Sequence, residues 1–365
     1  MWRLLIGAVG GILVIGAVYL VRRIHRFSFL QKYGEKHRVL SWLAAILLSS
    51  SLGLVAFINV PTMAVIALHL IIAFLLCDLL AWIAGKITGR KISKEISGIT
   101  AILLCTVYLG VGGILAWHIF ETDYSFETAK ETGGEIRIVG IADSHLGVTL
   151  DGQRFTEQME RIRKLEPDIV LVAGDFVDGN SGRKDMIESC RALGSLCPES
   201  EVFFVPGNHD DDSSYRDFTP AELREALSEN GVRVLEDEAV LVDHRFYVIG
   251  RKDRFTAGRA DMKTLINGLD PSRYMIVIDH QPNDYAAEAE AGADLVFSGH
   301  THGGHVFPAG LIGLLIGAND RLYGTETRGN TVFVVTSGIS GWSIPIKTGT
   351  FSEITVIDIK AEHDR

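Results

Sequence analysis

The 365-residue chain is short of cysteine, with four in all, and its first 119 residues are nearly free of acid, holding three Asp/Glu against eleven Lys/Arg. Residues 120–365 are short of base instead, with 24 Lys/Arg against 42 Asp/Glu. This split describes two unlike pieces rather than one acidic protein. The shortage of base in the second piece argues against a nucleic-acid partner, because phosphate backbones are held by Lys/Arg neutralisation. Cys77 and Cys105 fall in apolar runs and read as packing residues. Cys190 and Cys197 read as two buried thiols, which would pair only in an oxidising compartment. Neither a Gly-x-Ser-x-Gly elbow nor a P-loop is present, so the chemistry must proceed without a serine nucleophile or a phosphate-cradling loop of that type.

What is present first is apolar length. Residues 4–21, 39–60 and 98–120 carry no Asp, Glu, Lys or Arg, and 63–84 is broken only by Asp78. A hydrocarbon core of ~30 Å needs about 20 helical residues, so four spans are expected, making residues 1–120 a transmembrane anchor. The loops at 22–38 and 85–97 are rich in Lys and Arg, whereas 59–62 is uncharged and 121–135 is net acidic. The positive-inside rule then places both basic loops in the cytoplasm and the rest of the chain, with any catalytic domain, outside the cell membrane. Asp78 and His69 are ionisable groups within an apolar run; Asp78 is expected to snorkel or to pair with Lys86.

Residues 121–135 are polar and read as a linker, after which short β-branched runs alternate with helical stretches over 136–365. Residues 219–222 (Thr-Pro-Ala-Glu) form a capping box with Pro at the first helical position, predicting a helix start. The alternation implies an α/β domain whose site lies at the carboxyl ends of its strands. Five apolar runs end in the same chemistry: Asp143-Ser144-His145; Gly174-Asp175-Phe176-Val177-Asp178; Gly207-Asn208-His209-Asp210; Asp279-His280-Gln281-Pro282; and Gly299-His300-Thr301-His302-Gly303-Gly304. Any one of these would pass for a cap or a turn, but five at strand ends make a joint signal. Carboxylate, amide and imidazole donors without thiolate suit Mn, Fe, Zn or similar ions. Two such ions about 3.5–4 Å apart can polarise a phosphoryl oxygen, activate water and orient an in-line displacement.

Taken in order, these segments resemble the five-motif signature of the calcineurin-like metallophosphoesterases over roughly residues 136–350. The resemblance implies two packed β-sheets flanked by helices, with two divalent metal ions at one end. It further implies that Asp143, His145 and His302 hold one ion, that Asn208, His280 and His300 hold the other, and that Asp175 bridges them. His209 would be the general acid or phosphate contact, oriented by Asp210, with Asp178 holding the loop. The chain is most similar to a subgroup of membrane-associated bacterial phosphodiesterases that includes four-span proteins. It departs from that pattern at His305, where Gln is usual, and at Lys347, where Arg is expected. His305 and Lys347 are thus expected to support the ligands or touch substrate. The implied function is hydrolysis of a phosphoester, of a lipid or the cell envelope. Two alternatives share the sequence: a cytoplasmic pyrophosphohydrolase of the UDP-2,3-diacylglucosamine type, and a non-catalytic metal-binding membrane sensor.

Overall fold

The apolar first third is helical: α1 (Trp2–Ile24), α2 (Ser28–Lys36), α3 (Arg38–Ser50, extended by a 3-10 turn over Ser51–Phe57), α4 (Val60–Thr88) and α5 (Lys94–Trp117). The computed structural model describes residues 2–57, 59–212 and 216–362, with the side chains of 2–10, 12 and 13 outside that description. The chain falls into two units, Met1–Gly112 and Gly113–Arg365. Asn59 starts α4 by accepting from the Thr62 amide at 2.6 Å, with Pro61 in its first turn, and Gly89 ends it at φ +70°. Left-handed backbone there costs a glycine little.

Three helices, not four, are long and apolar enough to span a membrane among the described residues: Arg38–Phe57, Val60–Thr88 and Lys94–Trp117. The fourth expected span, 4–21, lies in α1 and is partly outside the described side chains. Asp78 is paired, but with Arg23 rather than Lys86. The Arg23 guanidinium donates to both Asp78 carboxylate oxygens at 3.0 and 3.1 Å, and the Ser97 hydroxyl donates at 2.6 Å. A planar fork matches a carboxylate in a way that an ammonium cannot.

The second unit contains β1 (Ile119–Thr128), β2 (Ile136–Ile141), α6 (Gly152–Arg163), β3 (Ile169–Ala173), α7 (Arg183–Gly194), β4 (Glu201–Val205), α8 (Pro220–Glu229) and β5 (Arg233–Val234). It continues with β6 (Glu238–Val242), β7 (Phe246–Gly250), α9 (Met262–Ile266), β8 (Tyr274–Ile278), α10 (Tyr285–Ala291), β9 (Leu295–Ser298), α11 (Ala309–Leu315), β10 (Gly324–Arg328), β11 (Thr331–Val335) and β12 (Ser352–Ala361). The strands form two mixed six-stranded sheets, ordered β1-β12-β2-β3-β4-β5 and β10-β11-β9-β8-β7-β6. The Thr219–Glu222 capping box opens α8 as the sequence predicts.

Period-two side-chain alternation sorts the sheets into layers. Ile136 and Ile138 of β2 join Phe203, Ile276 and Phe297 in an inner core fed by both sheets. Val139 and Ile141 point the other way, onto Phe155, Met159 and Leu193 of α6 and α7. On the far side of the second sheet, Val277, Val296 and Phe333 pack with Met262 and Tyr285 of α9 and α10. The result is helix, sheet, sheet, helix. Each fully buried Ile or Phe contributes about 1.5–3 kcal/mol. Parallel pairing of β2-β3-β4 in one sheet and β7-β8-β9-β11 in the other sends their carboxyl ends the same way within each sheet.

The expected linker at 121–135 is mostly not one. Residues 119–128 form β1, paired in parallel with β12 from Ile119↔Ser352 to Thr128↔Ala361. Its Tyr124 and Phe126 pack on the inner core while Glu121, Asp123, Ser125 and Glu127 face out. The last carbonyls of α5, which lack helical partners, are taken by this domain: Ser352 donates to Ala116 and Arg154 to Trp117.

Candidate metal centre

All five motifs leave the carboxyl ends of parallel strands. Asp143 follows β2, Asp175 follows β3, Asn208 follows β4, His280 follows β8, and His300 follows β9. Backbone bonds beyond the ladders lace these turns together: Asp143 N donates to Gly174 O, His145 N to Asp175 O, and Gly299 N to His280 O. The turns are tight enough that Asp143, His145, Asp175, His300 and His302 all have positive φ, between 36° and 68°. Such backbone costs a non-glycine residue of order 1–3 kcal/mol and persists only where the surroundings enforce it. Gly207 is required by contact rather than by φ. A Cβ there would lie 2.3 Å from Asp175 Oδ1 and 2.4 Å from Asp175 N.

The side chains form two groups, buried Asp143/His145/His302 and Asp175/His280/His300 with His300 partly exposed, each able to offer ligand atoms within 4.8 Å of one another. Asp175 faces both. Its Oδ2 is 3.2 Å from His280 Nε2 and 3.7 Å from His145 Nε2, and its Oδ1 accepts from the His209 amide at 2.8 Å. Asn208 Oδ1 lies 3.5 Å from Gln281 Nε2, next in the chain to His280. Six of the seven expected ligands are thus brought together in the two groups.

The tautomers decide whether a cation fits. His280 Nδ1 donates to Ala173 O at 2.8 Å, which turns Nε2 toward the Asp175 carboxylate at 3.2 Å. His145 Nδ1 faces Asp178 Oδ2 at 3.3 Å, and His302 Nδ1 faces the Ser340 carbonyl at 3.4 Å. Their two Nε2 atoms then meet at 3.2 Å. Imidazole nitrogens and a carboxylate brought this close in a buried site need a proton or a metal cation between them. His280 Nε2 and His300 Nδ1 are also buried without a hydrogen-bond partner. Carboxylate and imidazole donors so arranged fit two borderline-hard divalent ions.

Burial pushes Asp143 up and opposes ionisation of Asp175, but His280 together with its neighbouring imidazoles holds Asp175 well below the usual range; Asp175 in turn raises His280 to about 10 against the effect of burial, so without a metal ion a proton on His280 balances this carboxylate. Burial, aided by the neighbouring His280, lowers His300 to about 4, so it is neutral and free to ligate. Asp178 would be raised by burial, yet its contact with His145 keeps it low. Replacing Asp178 with Asn removes the carboxylate that lies 3.3 Å from His145 Nδ1 and supports that ring by its charge. We expect the Asp178→Asn chain to bind metal about 10–100-fold more weakly, as read by titration of the apo-protein.

Two expectations need correction, for Asp210 and Lys347, while His305 takes the supporting position expected of it. Asp210 does not orient the His209 ring: its carboxylate accepts from the Phe176, Val177 and Gly207 amides at 2.8–3.1 Å, tying the Asp175 and Asn208 loops together. Lys347 is not a cation offered to substrate. It is fully buried, with Nζ donating to the carbonyls of Ser337, Gly338 and Phe351, and burial lowers it to about 7. His305 supports rather than ligates: its Nε2 lies 3.1 Å from Ile344 O, beside the His302 ring. Cys190 and Cys197 are both free, and burial raises Cys190 to about 12.

Several residues escape sequence reasoning. Trp342 is 46% exposed, with its ring centroid 5.4 Å from that of half-buried His209. Gln281 bridges Asn208 and Asp253, at 3.5 and 2.7 Å. Asp279, beside His280, is held by the guanidinium groups of Arg251 and Arg259. The Trp-containing loop was a visible signal; the arginine partners have none, because they reach Asp279 from other elements.

Comparison with known proteins adds independent findings. Residues 136–304 match the family described as Calcineurin-like phosphoesterase. An uncharacterized metallophosphoesterase of Aquifex aeolicus is 31% identical over 270 residues, covering 71% of this chain and 99% of its own. One from Helicobacter pylori is 30% identical over 277 residues, covering 71% of each chain. A Bos taurus protein named transmembrane protein with metallophosphoesterase domain is 26% identical over 306 residues, covering 78% of this chain and 68% of its own.

Proposed function

This chain belongs to the calcineurin-like metallophosphoesterases and is a metal-dependent phosphoester hydrolase, and on that premise we propose that it is a membrane-anchored enzyme acting on phosphoesters of a lipid or of the cell envelope. The observation that carries the dinuclear reading is that Asp175 faces one imidazole of each candidate cluster, His145 and His280, while the His302 ring meets His145 Nε2 at 3.2 Å. Asp143, His145 and His302 would hold one ion, Asn208, His280 and His300 the other, and Asp175 would be shared. Two divalent ions, when bound, supply the Lewis acidity that polarises a phosphoryl oxygen and activates water.

The protein supplies the rest. The carbonyls of Ala173 and Ser340 hold the His280 and His302 rings, and the Asp178 carboxylate lies 3.3 Å from His145 Nδ1. The Asp210 carboxylate fixes two ligand loops to one another. His209, half-buried at the rim, gives its imidazole proton to the departing alkoxide. Anchoring is supported by the three apolar helices and by the relative named a transmembrane protein. The basic loops at 22–38 and 85–97 support a catalytic domain outside the cytoplasm.

The test is turnover by the purified full-length chain of a soluble diester, a soluble monoester and a phosphoester carried in vesicles. Metal-dependent hydrolysis with preference for the vesicle-borne ester is expected. Efficient use of the soluble esters with none of the vesicle-borne one would overturn the lipid assignment. A reporter fused after β12 tests the side: it should be active only in its extracytoplasmic form.

A further inference from the structure

Soluble domains leave few large apolar side chains bare in one place, and a concentrated patch marks a surface that something covers. Nine large hydrophobic residues are exposed among the described residues beyond α5, and six of them fall in one ten-residue stretch: Phe307, Leu311, Ile312, Leu314, Leu315 and Ile316. The remaining three are Leu241, Phe255 and Trp342. Residues 306–319 contain no Asp, Glu, Lys, Arg or His, although the domain as a whole is rich in charge. Helix α11, at the centre of this stretch, has no buried residue.

The stretch is fixed to the metal site at both ends. It begins soon after His302-Gly303-Gly304, where the Phe307 amide donates to the Thr348 hydroxyl at 3.0 Å. It returns at Leu322, whose carbonyl accepts from the Thr301 hydroxyl at 2.6 Å, between His300 and His302. Gly310 lies so close to Gly304 that a Cβ on it would sit 2.4 Å from the Gly304 Cα. Trp342 stands on the adjoining 342–349 loop, which accepts from or donates to His305 and Phe307. An apolar promontory therefore borders the same rim as His209.

We infer that the 307–316 stretch inserts into the surface of a lipid bilayer, bringing the metal site to phosphoesters at headgroup depth. The occupant is fixed by what the chain itself carries. Three helices long and apolar enough to span a membrane precede this domain. Only His118 separates the end of α5 from β1, and Ala116 and Trp117 are held by Ser352 and Arg154 of the domain. Binding at a bilayer interface grows with the apolar area it buries, and this stretch offers six large exposed apolar side chains. The inference rests on the phosphoesterase reading above and names the element that would present lipid to it.

The test uses the full-length chain with Cys197→Ser in vesicles of phosphatidylcholine and phosphatidylglycerol, labelled with bimane at Leu315→Cys. The reference label is at Lys184→Cys, a side chain 83% exposed on α7. The label at position 315 should be quenched by nitroxide carried on the lipid chains and shielded from aqueous iodide, with the reverse at position 184. Iodide access equal at both positions overturns the inference, as does shielding from iodide without nitroxide quenching, which would mean cover by a second copy or another protein.

A functional arm reads the consequence. The double variant Leu314→Asp, Leu315→Asp should lose at least about tenfold in turnover of a vesicle-borne phosphoester, because a carboxylate is costly in the apolar layer. Its hydrolysis of a soluble diester and its metal content should stay unchanged. Equal loss on both substrates would overturn the docking role. If the parent chain hydrolyses neither substrate while the label is still quenched by lipid, the functional reading fails and the docking does not.

Discussion

Replacing Asp175 with Asn is expected to abolish most of the activity, by about 10³-fold or more, equivalent to about 4 kcal/mol of transition-state stabilisation. This carboxylate is the one group that faces both clusters, with Oδ2 near His280 and His145 and Oδ1 accepting from the His209 amide. An amide in its place keeps an acceptor for that amide hydrogen but removes the negative charge shared by the two metal positions. Metal content should fall with activity, toward one ion per chain or none. The fold should not suffer. Asp175 is buried, and taking a charge out of water costs several kcal/mol unless it is compensated. The metal-free variant should therefore unfold at the same temperature as the metal-free parent, or higher. Retained activity with two bound ions would remove Asp175 from the centre of the account.

His209→Ala should act differently, lowering kcat by about 10²–10⁴-fold while leaving metal content intact. The His209 ring meets the edge of His145 at 5.2 Å and is tilted against Trp342 at 5.4 Å, placing it beside the ligands rather than among them. A proton donor matters most when the leaving group is basic. The deficit should be large for an alkyl phosphoester and should shrink for p-nitrophenolate, which departs without a proton. A deficit independent of leaving group would give His209 a binding role instead, and loss of metal would make it a ligand.

The metal site was legible because its donors are short side chains at strand ends, where sequence position and spatial position coincide. Each apolar run could be seen to stop, and each stop carried Asp, Asn or His. Second contacts were less legible. Asp210 adjoins His209 in sequence and invites pairing with it, yet adjacent residues in an irregular turn point apart, and the Asp210 carboxylate is taken by three backbone amides. Lys347 could be read as a cation for substrate because nothing local reveals that the carbonyls of Ser337, Gly338 and Phe351 converge on it.

Strand β1 was missed for a related reason. Residues 119–128 do alternate, with Phe120, Thr122, Tyr124 and Phe126 on one face, but the other face is so acidic that the segment reads as a polar tether. Its partner β12 lies more than 200 residues away along the chain, and parallel pairing over that distance leaves no local signature. Asp78 shows the same limit within the helical unit, where Arg23, far off in sequence, takes the place expected of the nearby Lys86.

The central claim is that Asp143, His145, Asp175, Asn208, His280, His300 and His302 hold two metal ions that the hydrolysis needs. It is tested most directly by elemental analysis of the purified full-length chain, with phosphoesterase activity followed through removal and return of the metal. The account predicts about two first-row divalent ions per chain, activity lost in step with their chelation, and recovery when they are restored. A chain that holds no such metal, or that hydrolyses its ester unchanged after complete chelation, contradicts it.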